Sequence, residues 1–150
     1  MIMKNLIILF TLFVACIQNK SEDLQLFALS PKTYEFKAGE NKNRIDYFFA
    51  EGNFSYNSSG YENLRNKIDE KIKEVNVKEY HLYSVYIYKE TGVINKEYKN
   101  GREGLDGHNQ DLLAYLRYSE GKMDIFYIID QGNVMYDKLS DKEESFQFDQ

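Results

Sequence analysis

The densest grouping of chemistry-bearing side chains lies in the stretch Gly101-Arg102-Glu103-Gly104-Leu105-Asp106-Gly107-His108-Asn109-Gln110-Asp111. Asp106, His108 and Asp111 offer two carboxylates and one imidazole. That donor set suits a metal ion or a hydrolytic site, and binding residues often sit on loops held by a scaffold. Their spacing matches neither a zinc signature nor the Asp-rich calcium loop. The glycines at every third place lack the following helix and the Lys-Ser/Thr pair of a phosphate loop. The plainer reading is a solvated, glycine-rich connection between two strands. His81 reads as a surface or edge residue at the start of a strand. No Gly-x-Ser-x-Gly elbow marks a serine as a nucleophile. Glu143 and Glu144 fall in an acidic tail, a poor place to hold two acids at fixed separation. No metal and no cofactor is expected, and an enzyme reading is confined to a hydrolase using the 101–111 loop.

The remaining reactive side chain is the single cysteine, Cys16. It closes an apolar run from Leu6 to Ile17 that is interrupted only by Thr11, and Lys4 precedes the run. A membrane-spanning helix needs about 20 apolar residues, so this run is too short for one and fits a secretory signal instead. Phe13-Val14-Ala15-Cys16 resembles the lipobox of bacterial lipoproteins. The resemblance implies a cut before Cys16, a diacylglycerol on its thiol and palmitate-type acylation of the new amino terminus. It therefore implies a membrane partner through lipid at Cys16 and a place in the cell envelope, on the periplasmic or surface side. The alternative is an ordinary signal peptide, or an uncut helix, with a free thiol. On this reading residues 1–15 are the signal and 16–31 are the lipidated cysteine and a flexible tether, with Pro31 marking its end; Leu24 to Leu29 within it is apolar enough to be a first edge strand or to pack against the body. A single domain then fills 32–136, and an acidic tail fills 137–150 and frays.

Of 150 residues, 24 are acidic and 19 are basic. The net charge of −5 argues against nucleic acid, which needs clustered Lys and Arg. Tyr34-Glu35-Phe36 and Ile45 to Phe49 read as a hairpin across the turn chemistry of Ala38 to Asn43. Tyr61, Leu64, Ile68, Ile72 and Val75 share one helical face, which predicts a helix over about 59–75. Ser59 and Glu62 have capping-box spacing, and Asp69 and Lys73 have that of an ion pair on the outer face. Tyr80 to Lys89, Val93 to Tyr98, Leu112 to Tyr118, Met123 to Ile129 and Val134 to Tyr136 read as strands separated by tight turns. Strands joined in that way are antiparallel neighbours. The fold class expected is α+β: one amphipathic helix packed on an antiparallel, mostly meander sheet. In element order this resembles the cystatin-like arrangement.

Aromatics are the other oddity, with 13 tyrosines, 10 phenylalanines and no tryptophan. Alternation along 80–89 puts Tyr80, Tyr86 and Tyr88 on one face and Tyr83, Val85 and Ile87 on the other. One helix covers one face, so Tyr80, Tyr86 and Tyr88 are the candidate exposed stripe for a protein partner. Tyrosine is also simply a good strand residue. Together these readings give a lipid-anchored envelope binding module, of which an immunity or inhibitor protein is one case. The alternative is an accessory structural lipoprotein of an envelope assembly.

Overall fold

The structure is a computed structural model that describes residues 23–149. Seven strands form one sheet in sequential order: β1 (Gln25–Ala38), β2 (Asn41–Glu51), β3 (Leu82–Lys89), β4 (Leu112–Ser119), β5 (Lys122–Asp130), β6 (Asn133–Asp137) and β7 (Lys142–Gln147). The helix α1 (Ser58–Ile72) lies between β2 and β3. Every neighbouring pair is antiparallel except β2 and β3, which run parallel. The exception has a simple cause. A parallel return needs a crossover long enough to come back to the same end of the sheet, and α1 supplies it. The α+β class stands, with one parallel step inside the meander.

The helix follows its apolar spacing. Leu64, Ile68 and Ile72 are buried against Phe48, Val85 and Ile87 of the sheet. Tyr61 stacks on Tyr136 at 4.7 Å between centroids. The start differs from the capping-box reading: Asn57, not Ser59, is the N-cap, and its Oδ1 accepts from the Gly60 amide at 2.9 Å. Gly60 permits this entry, because a Cβ there would sit 1.9 Å from the Ser55 carbonyl oxygen. The outer-face ion pair joins Arg65 to Asp69 at 2.8 Å, one turn earlier than the Asp69–Lys73 spacing suggests.

Three expected boundaries are corrected. Pro31 lies inside β1 and does not end a tether: Leu24, Leu26 and Leu29 are all buried. The strand tolerates the proline because β1 is an edge strand and its register shifts between Ala28 and Thr33. Val93 to Tyr98 is not a strand. Thr91 Oγ1 accepts from the amides of Val93 and Ile94, and Asn95 bonds the Thr91 and Gly92 carbonyls, so local side-chain bonds compete with a ladder. The acidic tail is ordered as β7, paired with β6, and the Phe148 amide donates to the Gly132 carbonyl at 2.8 Å.

The 90–111 connection and the C-terminal residues cover part of the second face of the sheet. Leu29, Ile94, Tyr98, Leu105 and Phe148 pack on Phe49, Tyr88 and Leu112 opposite the helix. The sheet is therefore covered on one face by α1, and on the other partly by the 90–111 connection and partly by the C-terminal residues.

Candidate functional site

The 101–111 loop gathers its expected donors only in part. His108 Nδ1 and Asp111 Oδ2 are 2.8 Å apart, whereas Asp106 lines a separate cavity with Tyr34, Tyr47 and Arg102. Among the described residues no group of three or more His, Cys, Asp or Glu side chains is placed to hold a metal ion. The glycines serve the loop's shape. Gly101 and Gly107 have φ of +67° and +86°, and a Cβ on Gly104 would fall 2.6 Å from the Tyr98 hydroxyl. His81 is on the surface, 3.8 Å from Glu120. Cys16 and the lipobox-like stretch lie outside the described residues.

The expected tyrosine stripe is redistributed. Tyr80 precedes β3 and joins the helix-side core, and Tyr88 is 0% exposed beneath the 90–111 connection. Tyr86 alone is half-buried on the face away from the helix. The structure gives it different neighbours. Tyr47, Tyr86, Tyr115 and Tyr127 are consecutive register partners across β2, β3, β4 and β5. Tyr47 stacks on Tyr86 at 5.6 Å, and Tyr86 lies 4.8 Å from Tyr115. The next row of the same face is Tyr34, Ile45, Ser84, Arg117 and Ile125, register partners from β1 to β5. Adjacent strands lie about 4.8 Å apart, so this second row is about 19 Å wide.

Within these rows Tyr47, Ser84 and Tyr115 are buried, and Phe148 lies 5.1 Å from Tyr115. Tyr34, Ile45, Tyr86, Ile125 and Tyr127 stay partly accessible and form an aromatic and aliphatic belt. Tyr34 and Phe146, near its two ends, are 41% and 43% exposed. A groove of about 280 Å³ opens between Tyr86, Tyr115, Ile125, Tyr127 and Phe146. Burial, then the neighbouring phenols of Tyr115 and Tyr47, push the Tyr86 hydroxyl well above the ordinary tyrosine range. It therefore stays a neutral hydrogen-bond donor at physiological pH. Arg117 is held by Asp124 through Nη2 at 2.8 Å, and Ser119 donates to the same carboxylate at 2.9 Å. The belt can thus present large, rigid, amphipathic area with its one cation already paired. Tyr47, Tyr115 and Tyr127 escape a single-strand reading. Alternation tells which residues of one strand share a face, but only register tells which strands bring tyrosines side by side.

A second polar cluster sits at the edge of the helix-side core. Asp46, 0% exposed, accepts from Thr33 Oγ1 at 2.7 Å, from Tyr83 Oη at 2.9 Å and from Arg44 through two nitrogens at 3.0 Å. Tyr80 donates to Glu35 at 2.7 Å and sits 3.4 Å from Arg44 Nη1. Burial opposes the Arg44 charge, but the hydrogen bonds to Asp46 and Tyr80 outweigh it and raise the guanidinium's pKa. Asp46 is sealed from solvent and its oxygens are engaged, so the cluster ties β1, β2 and β3 together; it does not receive a substrate.

Compared with protein-family models, with curated proteins and with solved structures, the chain gives no match. The functional reading therefore rests on the residues and their arrangement.

Proposed function

We propose that the chain is a lipid-anchored binding module of the cell envelope, held at Cys16, that engages a basic protein through the aromatic belt. An inhibitor or immunity-type protein acts in this way. The supporting observation is the register that brings the partly accessible Tyr34, Ile45, Tyr86, Ile125 and Tyr127 together on the face away from α1, over the buried Tyr47 and Tyr115. Tyrosine is enriched where a few rigid anchors dominate binding energy. The formal charge of −5 favours a basic partner, because complementary fields speed encounter.

Photo-crosslinking in the native cells tests this. A benzophenone side chain placed at Tyr86, Ile125 or Tyr127 should give an adduct of one common mass. The same group at Lys71 or Glu74, beyond the sheet on the helix side, should give none. Adducts from neither surface, or equally from both, would overturn the proposal.

A further inference from the structure

We propose that the cavity between β1, β2 and the 100–106 loop is a binding site for a neutral sugar ring. The cavity measures about 450 Å³, within the range of small-molecule sites, and it is lined by Pro31, Tyr34, Tyr47, Arg102, Glu103 and Asp106. It borders the belt and shares Tyr34 and Tyr47 with it, but its chemistry differs. The belt offers mainly apolar area, whereas this cavity pairs two phenol rings with planar polar groups of both kinds.

The lining narrows the ligand class by elimination. An anion would gain Arg102 but meet the carboxylates of Glu103 and Asp106. A cation would gain those carboxylates but meet Arg102, whose guanidinium already lies 5.4 Å from the centre of the Tyr34 ring. A wholly apolar ligand would strip water from three charged groups without replacing it. A sugar ring offers apolar C–H groups to the exposed part of Tyr34 and to the small accessible part of Tyr47, and hydroxyls that both donate to carboxylates and accept from a guanidinium. A small zwitterion would pair both signs of charge but offers little C–H surface to the rings, so the sugar ring engages more of the lining, which also includes Asn100.

The cavity wall is also held in place before any ligand arrives. Tyr98 Oη donates to the Gly101 carbonyl at 2.7 Å, and Gly101 takes a φ of +67° that favours glycine. Leu105 is buried in the core between Glu103 and Asp106, so the two carboxylates ride on an anchored turn. On the opposite side Tyr34 stacks on Phe36 at 5.5 Å. A site already shaped spends little of its binding energy on ordering side chains.

Titration calorimetry and proton saturation-transfer NMR test the site on the full chain in a zwitterionic, sugar-free detergent. The probes are the methyl β-glycosides of glucose, galactose and N-acetylglucosamine, with cellobiose and lactose. At least one should bind saturably with a Kd on the order of 1 mM. Tyr34→Ala, Glu103→Gln and Asp106→Asn should each weaken it about tenfold or more, because each leaves ligand groups unpaired. Phe146→Ala, at the other end of the belt, should leave sugar binding unchanged. If that variant abolishes partner crosslinking while sugar binding persists, the two surfaces are separate. The absence of saturation by all five probes would overturn the proposal. So would equal binding to the three cavity variants, or tighter binding of tetramethylammonium or inorganic phosphate.

Discussion

Arg44 grips Asp46 from two positions away on the same strand, with Nε and Nη2 each 3.0 Å from a different carboxylate oxygen. Residues at that spacing share a face of β2, and the helix-side core closes over the carboxylate but leaves the guanidinium partly exposed. Removing the carboxylate charge leaves the cation facing two phenols and a hydroxyl, with only the half-exposed Glu35 carboxylate, 3.7 Å from Nη1, as a counter-charge. Breaking one partner of a buried pair costs about 3–5 kcal/mol, whereas breaking an exposed pair costs about 1 kcal/mol or less. Asp46→Asn should therefore lose about 3 kcal/mol in urea unfolding, and Asp124→Asn, at the more exposed Arg117 pair, should lose under about 1 kcal/mol. Similar losses for the two variants would show that burial does not set the cost.

The buried phenols imply a response to alkali. Burial, then the charge of Asp46, pushes the Tyr83 hydroxyl well above its usual range, and burial pushes Tyr86 the same way. The unfolded chain releases these protons near pH 10, while the folded chain keeps them to higher pH. Their contribution to stability is therefore fully present below about pH 10 and is lost as pH rises toward the folded values. Thermal midpoints should be flat from neutral pH to about pH 9 and then fall, together with a rise in tyrosinate absorbance. Early tyrosinate absorbance without loss of fold would mean that these phenols are open to solvent.

Two glycines should respond differently to the same substitution. A methyl group on Gly60 meets the Ser55 carbonyl oxygen, whereas one on Gly92 meets nothing within 4 Å, and neither residue has a positive φ. Alanine at position 60 improves helix propensity by about 1 kcal/mol, but forcing atoms into packed backbone costs about 1–3 kcal/mol. Gly60→Ala should therefore lower the unfolding midpoint. Gly92→Ala should leave it unchanged or raise it, through lower entropy of the unfolded chain. A stabilised Gly60→Ala would mean that the turn before α1 yields readily.

What was legible before the structure follows from how local each feature is. The helix face of Leu64, Ile68 and Ile72 and the hairpin of β1 and β2 are set by neighbours in sequence, and both are found. The parallel step from β2 to β3 was missed, because a helix between two strands fixes only that a crossover is possible. β7 was hidden by its charges. Lys142, Glu143 and Glu144 suggest solvent, but Phe148, 7% exposed and packed on Tyr115 and Tyr127, seats the end of the chain against the sheet. The candidate site was legible at Tyr86 alone. Tyr80 and Tyr88 were lost to burial that comes from distant segments, and the tyrosines of β2, β4 and β5 meet Tyr86 only through register.

The proposed lipid at Cys16 would tie the proposed binding surface to a membrane, and it has a direct test. Each buried methylene contributes about 0.8 kcal/mol, so a single acyl chain holds a protein marginally and two or more hold it stably. Among the described residues no helix is long and apolar enough to cross a membrane. On this proposal the acyl chains supply the membrane affinity, and removing the thiol that would carry the diacylglycerol should remove most of it. Cys16→Ser should shift the chain from the detergent phase to the aqueous phase in phase-partition assays. It should also abolish incorporation of radiolabelled palmitate. Incorporation that persists, or a chain that still partitions with detergent, would place the membrane affinity elsewhere.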